Sequence, residues 1–227
     1  MLGETLGRVR PCSRELRSQL FLALVIHRGN LASVRNGALK FGSVELRQLK
    51  KRDARKLQSL LVKDRAWLSP WEATTPGIRY PVDARDLVGN LLYQQRKGTG
   101  LAVIIDVDGQ TAGQINVANI LHGSVSSASV GYWIAKDFAG RGVMPIAVAL
   151  TIDHLFDERH LHRVEIDIRP ENGASLRVVE KLGLREEGLK ERFIHIDGQW
   201  RDHRIFAITS EERKGSMLAR LENTHSQ

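Results

Sequence analysis

The chain has 227 residues, of which 42% are apolar and 26% charged, and this balance is typical of a folded domain and excludes a disordered or low-complexity protein. A single cysteine, Cys12, excludes an internal disulfide and a zinc site built from cysteine pairs, and no other metal site is expected. The net charge of +8 admits nucleic-acid binding. However, seven basic and two acidic residues within 1–40 account for five of these charges, so direct nucleic-acid binding is not expected from the rest of the chain.

Residues 1–40 show no sustained hydrophobic period and are interpreted as a basic N-terminal extension. A mobile arm, a short helix around 13–27 and an upstream extension from a misplaced start codon all remain open. The apolar run Leu20–Ile26 is far shorter than the roughly 20 residues that a membrane-spanning helix needs, so no membrane span is expected. Basic residues precede that run, but no small-x-small cleavage site follows it, and we expect a cytoplasmic protein.

The pattern sharpens after residue 40. Residues 43–49 alternate between apolar and polar, which predicts a half-buried strand, and apolar residues then recur at helical spacing over 54–61. Prolines over 70–81 mark a long loop. Asp83 then caps a helix that is predicted to run to about Lys97.

A meander of three strands is predicted next, at 100–107, 111–120 and 126–135. Asp108-Gly109 separates the first two strands, and this pair is typical of a two-residue hairpin turn because both positions need positive φ. The remaining predicted elements are a helix over 142–159, a strand over 162–169, a helix over Asn172–Leu182 ended by Gly183, and the strands 186–196 and 199–209 joined at Asp197-Gly198. Residues 210–227 are predicted to be a polar C-terminal tail with a frayed helix.

This order predicts an α+β domain over residues 41–209, built around a mostly antiparallel sheet. The strand–helix–strand crossover at 126–169 implies one parallel pair of strands. Ligands tend to bind outside the carboxyl ends of parallel strands, at the point where a helix begins. The sequence therefore directs attention to the two helix starts near residues 142 and 172.

The first helix start is the segment Ala139-Gly-Arg-Gly-Val-Met144. Its two glycines let main-chain amides turn toward one point, and the helix that follows adds free amides and a partial positive charge. Together with Arg141 these groups suit a pyrophosphate, although a Gly-Arg-Gly sequence often only forms a turn. The second start is Asn172-Gly-Ala-Ser175, where Asn172 is a helix cap and Ser175 supports that cap or has a chemical role.

The pair of segments resembles the GNAT acetyltransferase superfamily, and more closely its RimJ/RimL branch, which acetylates the N-terminal residues of ribosomal proteins. The supporting sequences lie between 41 and 209 and include Trp67-Leu-Ser-Pro-Trp71, Gly131-Tyr-Trp133, Gly140-Arg-Gly-Val-Met144, Asn172-Gly-Ala-Ser175, Lys181-Leu-Gly183 and Gly198-Gln-Trp-Arg-Asp-His203. Ala139, Met144 and Leu184 depart from the usual motifs, and Ala139 removes one expected side-chain contact.

The resemblance implies a GNAT-like sheet with a splayed parallel pair and acetyl-CoA as the acyl donor. It implies that main-chain groups of Trp133, Ile134 and Ala135 pair with the pantetheine arm. It also implies that the amides of Gly140, Arg141, Gly142, Val143 and Met144 hold the pyrophosphate. Asn172 and Lys181 are further expected CoA-binding residues, and Ser175 is expected to protonate the leaving thiolate.

The acceptor is expected to be a primary amine, most simply the α-amine at the N-terminus of a protein such as a ribosomal protein. An α-amine is about one-tenth neutral near pH 7, whereas a lysine is roughly one-thousandth neutral, so an N-terminal acceptor needs little help from a base. Asp167 is a candidate base, because the resemblance places a glutamate there in a related enzyme, or it is a solvated strand residue. Trp71 and Glu72 are candidate acceptor-binding residues, and His203 beside Asp202 is a catalytic pair or a structural histidine.

Two other functions remain open. In the first alternative, the domain acetylates a small amine such as an aminoglycoside or a polyamine. In the second, it binds CoA without catalysis while the basic arm docks on RNA. No acidic cluster that would favour a polyamine stands out in the sequence. The quaternary state is expected to be a monomer or a homodimer.

Overall fold

The computed structural model describes residues 38–77 and 83–224, and within them eight strands form one sheet in the order β1-β2-β3-β4-β5-β6-β8-β7. The strands are β1 Leu39–Phe41, β2 Val44–Gln48, β3 Leu101–Val107, β4 Gln110–Leu121, β5 Ser127–Ile134, β6 Arg163–Ile168, β7 Arg185–Ile196 and β8 Gln199–Thr209. The helices are α1 Ala54–Lys63, α2 Arg65–Leu68, α3 Ala84–Lys97, α4 Val143–Asp157, α5 Gly173–Leu182 and α6 Met217–Thr224.

The predicted fold class is confirmed. Every pairing among the described strands is antiparallel except that of β5 with β6, which α4 connects. This parallel pairing covers only Ser127–Ser129 and Arg163–Glu165, although β5 continues to Ile134 and β6 to Ile168. The two strands therefore separate toward their carboxyl ends and leave an opening in the middle of the sheet.

Both hairpins form at the predicted turns. Asp108 and Gly109 have φ of 48° and 74°, and Asp197 and Gly198 have φ of 49° and 77°. Aspartate and glycine tolerate this left-handed region better than other residues, and these turns match the right-handed twist of the strands. The turn residues thus fix the register of β3 with β4 and of β7 with β8.

Two hydrophobic clusters hold the helices on the sheet. The larger cluster includes most of α4, in which ten of fifteen residues are buried, together with α5 and alternate strand residues such as Leu101 and Ile105. The intervening strand residues Ala102 and Ile104 belong to a smaller cluster with Leu57 of α1 and Val88 of α3. Because consecutive strand residues point to opposite faces, the helices cover both sides of the sheet.

The structure describes ordered elements on both sides of the predicted domain limits at residues 41 and 209. The boundary predicted at residue 40 falls inside β1, which pairs with β2, and the interpretation of residues 1–37 as an extension lies outside the described residues. The segment predicted to be a polar tail with a frayed helix contains α6, whose Met217 and Leu221 are 0% and 7% exposed in the larger cluster. Asp153 of α4 accepts a hydrogen bond from Met217 N at 2.9 Å. The few apolar residues of this segment recur on one helix face, and that face is buried.

Replacement of Met217 by alanine is expected to lower the free energy of unfolding by about 2–5 kcal/mol, because it removes a fully buried side chain and leaves a cavity. Chemical denaturation of the purified protein measures this loss. The matched control is Lys214→Ala, which changes an exposed residue of the same segment and is expected to alter stability by less than about 0.5 kcal/mol. Equal stability of the two variants would show that the segment contributes nothing to the core.

None of the helices in residues 38–77 and 83–224 combines the length and the apolar character needed to cross a lipid bilayer.

Candidate active site

The opening between β5 and β6 exposes one edge of β5. Ala135 N donates to Ala112 O at 2.7 Å, and Gln114 lies opposite Trp133, so the main-chain groups of Trp133 and Ala135 face β4. In an antiparallel ladder the next residue along faces the other way, and Ile134 and Tyr132 therefore turn their N–H and C=O groups toward the opening.

This register refines the expected main-chain contacts. Trp133, Ile134 and Ala135 were all expected to pair with an extended ligand, but consecutive strand residues cannot face the same edge. Ala135 is further engaged inside the protein, because its carbonyl accepts from Phe138 N at 3.0 Å. Ile134 is thus the member of the trio whose main chain faces the opening, and Tyr132 joins it. The Trp133 side chain packs against the smaller hydrophobic cluster.

The first wall of the opening is anchored by α1 and α2. The buried Asp64 accepts from Lys136 N at 2.8 Å, and Lys63 forms an ion pair with Asp137 at 2.5 Å. Trp67 Nε1 donates to Ile134 O at 3.0 Å. These contacts hold the turn after β5 in place, and they bring the tryptophan-containing segment to the edge of the opening.

The loop that follows this turn has the geometry expected of an anion site. Gly140 and Gly142 have φ of 76° and 75°, and no atom lies within 4 Å of the position that a Cβ would take at either residue. Glycine is therefore favoured by the backbone conformation and not by crowding. In the part of the chain that the structure describes, no amide from Gly140 to Met144 donates to a loop, a strand or a side chain. Arg141 is exposed, and its guanidinium lies 5.6 Å from the centre of the Phe138 ring.

The loop leads directly into α4, which begins at Val143. The amides of a first helical turn lack partners within the helix and carry a partial positive charge. Val143 and Met144 bury their side chains in the larger cluster, so their position at the helix start is fixed by packing. The loop and helix start therefore fit a pyrophosphate, with Arg141 as a mobile cation beside it.

The second helix start lies on the other strand of the opening. Asn172 caps α5, because its side-chain oxygen accepts from Ser175 N at 3.0 Å, and Gly183 ends the helix with φ of 65°. Ser175 is partly buried, in the first turn. Lys181 is exposed in the last turn, about 9 Å further along the axis at 1.5 Å per residue. The structure thus brings Asn172 and Ser175 together, and it leaves Lys181 at the opposite end of the helix.

Asp167 lies in β6 on the sheet face opposite to Ile166 and Ile168, which are buried in the larger cluster. Its carboxylate is within 3.0 Å of Lys190 Nζ, which also contacts Glu165 at 2.5 Å. Burial raises the pKa of Asp167, and the hydrogen bond from Lys190 opposes this increase. Asp167 is therefore a partly desolvated carboxylate whose charged form is favoured mainly by Lys190, while the neighbouring Glu165 and His203 also act on its pKa in opposite directions. The sequence did not single out Lys190.

The loop after α2 borders the same face. Arg169, the residue that follows β6, donates to Pro70 O at 2.6 Å, and its guanidinium lies 5.4 Å from the centre of the Trp71 ring. Thr74 N donates to His195 O of β7 at 2.8 Å. Trp71 is 38% exposed, so the loop presents an aromatic surface near the carboxyl end of β6.

Glu72 is not available as a free carboxylate in this arrangement, because it forms an ion pair with Arg65. The structure therefore brings Trp71 to the end of β6 by way of Arg169, and it places Glu72 in a local charge pair of the loop.

Asp202 and His203 do not form a pair. Asp202 accepts from Arg192 N at 2.7 Å, and His203 Nδ1 lies 3.0 Å from Arg201 O. Adjacent strand residues point to opposite faces, which explains why the sequence neighbours separate. His203 is buried, and burial lowers its pKa, which favours the neutral ring.

Comparison with known proteins gives consistent matches. A family profile described as an acetyltransferase (GNAT) domain matches residues 43–185. The chain is 36% identical over 105 residues to the probable N-acetyltransferase YjcK of Bacillus subtilis, a match that covers 46% of this chain and 58% of that protein. It is 29% identical over 189 residues to the ribosomal protein uS5-alanine N-acetyltransferase of Escherichia coli, covering 82% of this chain and 96% of that protein. The solved structure of Mycobacterium smegmatis RimJ in complex with CoA-disulfide matches with a TM-score of 0.74 and 36% identity, covering 80% of this chain and 89% of that chain.

Proposed function

The chain belongs to the GNAT acetyltransferase family, and we infer that it transfers the acetyl group of acetyl-CoA to the N-terminal α-amine of a protein, such as a ribosomal protein. The observation that carries this inference is the opening between β5 and β6, which two helix starts flank. One helix start offers unpaired amides for a pyrophosphate, and the other offers the hydroxyl of Ser175. A single bound acyl-CoA molecule contacts both helix starts.

The donor is held mainly by the main chain. The amides from Gly140 to Met144 bind the pyrophosphate, and Arg141 adds positive charge. The pantetheine arm lies along the free edge of β5 and pairs with Ile134 as an added strand does. The Ile134 carbonyl already accepts from Trp67, and its second lone pair remains for the ligand. The splayed strands thus fix the thioester near the start of α5.

The acceptor approaches from the face that carries Asp167 and Trp71. The amine nitrogen attacks the thioester carbonyl, the C–N bond forms, and the C–S bond breaks with its electron pair on sulfur. Ser175 donates a proton to that sulfur and regains one from solvent. Asp167 accepts the proton that the amine loses, directly or through water. Orientation of the two substrates supplies much of the rate, because an α-amine is already partly neutral near pH 7.

The match to a protein-modifying relative is wider than the match to a small-amine relative, since the spermidine N(1)-acetyltransferase of Escherichia coli is 26% identical over 164 residues and covers 70% of this chain. The Escherichia coli protein that this chain matches over most of its length is described by its action on an alanine of ribosomal protein uS5. In addition, the carboxylates of Glu165 and Asp167 are both engaged by Lys190, so within the described residues this cluster does not offer the free acidic charge that a polyamine would need.

The decisive measurement is release of free thiol from acetyl-CoA with matched acceptors. One arm uses short peptides with free α-amines, including N-terminal sequences of ribosomal proteins. A second arm uses the same peptides with blocked N-termini and an internal lysine, and a third uses spermidine and an aminoglycoside. We expect turnover with the free α-amines alone. Turnover confined to the third arm would replace the proposal with small-amine acetylation, and CoA binding without turnover in any arm would leave only a binding module.

A further inference from the structure

Gly131 is exposed although it lies in an inner strand of the sheet, β5, between β4 and β6. Within the described residues no atom lies within 4 Å of the position that its Cβ would take, and its φ is outside the left-handed region. Neither crowding nor backbone conformation therefore requires glycine here. Glycine inside a strand costs stability, and it often marks a place where a ligand approaches the main chain closely.

The open position faces the same side of the sheet as Asp167. Val130 and Tyr132 pack in or against the larger hydrophobic cluster, whereas Trp133 packs against the smaller one. Because strand residues alternate between faces, Gly131 and Trp133 share the face of the smaller cluster. Asp167 lies on this face too, since it alternates with strand residues of the larger cluster.

Gly131 and Asp167 also lie at the same level along their strands. Ser129 pairs with Glu165, and Gly131 and Asp167 each follow two residues later. Paired strands are about 4.8 Å apart, but β5 and β6 have separated at this level, so the space between the two residues is wider. On the other side of Gly131, Asn116 of β4 lies directly opposite and is partly buried. The space over Gly131 is thus bordered by a carboxylate and an amide, as suits a polar main chain.

We propose that Gly131 is the floor of the pocket for the first residue of the acceptor, and that its missing side chain sets which first residues are acetylated. This inference rests on the proposed function, because it assigns part of the acceptor site of the same reaction. With the amine beside Asp167 and the thioester, the first Cα and its side chain lie over Gly131. A first residue without a side chain leaves this space unused, whereas any other first residue occupies it.

The test is Gly131→Ala, assayed with two peptides that differ only in their first residue, which is glycine or alanine. Relative to the wild type, kcat/KM for the alanine-first peptide should fall about tenfold to a hundredfold more than kcat/KM for the glycine-first peptide. The reason is that one methyl group gained or lost in a fitted pocket changes the rate by about this factor. The Kd for CoA, measured by calorimetry, should stay unchanged, because the donor lies along the edge of β5 and not on this face.

Gly89→Ala is the matched control, because Gly89 is another exposed glycine with an open Cβ position and φ outside the left-handed region, but it lies in α3. This variant should acetylate both peptides as the wild type does. The melting temperature of Gly131→Ala should equal or exceed that of the wild type, since alanine fits the backbone and restricts the unfolded chain.

The outcomes separate this inference from the proposed function. An equal loss with both peptides, or no loss with either, would overturn the pocket at Gly131 and leave N-terminal acetylation in place. A wild-type protein that acetylates neither peptide would reject the proposed function, and the pocket for a first residue with it. A loss confined to the alanine-first peptide, in a protein that binds CoA normally, would uphold both.

Discussion

Gly142→Asp is expected to weaken CoA binding about tenfold to a hundredfold more than Gly142→Asn does. Residue 142 has φ of 75°, a conformation that asparagine and aspartate both tolerate at modest cost. The two side chains have nearly the same shape and differ in one negative charge. At about 5 Å from a pyrophosphate charge and an effective dielectric constant near 20, this charge costs about 3 kcal/mol. Because the loop is exposed to solvent and salt, this cost falls to about 1.5–3 kcal/mol. It corresponds to a difference in CoA affinity between the two variants of about tenfold to a hundredfold.

Titration calorimetry with CoA measures this ratio directly, and raising the salt concentration should narrow it because the loop is exposed. Acetyl-pantetheine supplies the matched substrate control, since it carries the thioester without the pyrophosphate. Its kcat/KM should be the same with both variants. If the two variants bound CoA equally, the pyrophosphate would lie elsewhere and the role of the loop from Gly140 to Met144 would be rejected.

Much of the fold could be predicted because its signals are local. Strand periods of two residues, the two Asp-Gly turns and the caps Asp83 and Asn172 each report on a few neighbouring residues, and all formed where expected. The parallel pair also followed from local signals, since a helix between two strands requires a crossover. The burial of the helix at Met217 was not predicted, because only a few apolar residues mark its buried face within a polar segment.

The site was harder to predict because it depends on contacts between distant residues. Which of Trp133, Ile134 and Ala135 faces the opening is set by the register with β4, and a shift of one residue would reverse it. Lys190 reaches Asp167 across β8, which lies between β6 and β7, and no spacing in the sequence reports that pairing. Tyr132 was visible as part of a Gly-Tyr-Trp motif, but only the fold shows that its hydroxyl is buried beside Ser175.

The pairing of Asp167 with Lys190 leads to the second large effect, on the pH dependence of acetyl transfer. In every variant kcat/KM should decrease as the pH falls below about 8, because the acceptor amine, whose pKa is about 8, becomes protonated there. If Asp167 must be ionised for activity, kcat/KM falls more steeply at still lower pH, where the carboxylate becomes protonated. This steeper part of the pH profile is its second limb. Lys190→Met removes the ammonium that stabilises the Asp167 carboxylate, and it leaves Glu165 as a negative neighbour. The lost positive charge and the remaining negative charge of Glu165 both favour the protonated form of Asp167. The pKa of Asp167 therefore rises, and the second limb should move to higher pH by about one unit.

Two variants separate this charge effect from a loss of packing. Lys190→Arg keeps the positive charge and should leave the second limb near its wild-type position, although the fork of arginine differs in shape. Asp167→Asn should abolish the second limb and lower kcat about tenfold to a hundredfold, at the weak end of general-base effects because an α-amine needs little help. A Lys190→Met profile that coincides with the wild type would show that Asp167 stays outside the chemistry, and the ion pair would then serve only to join β6 to β7.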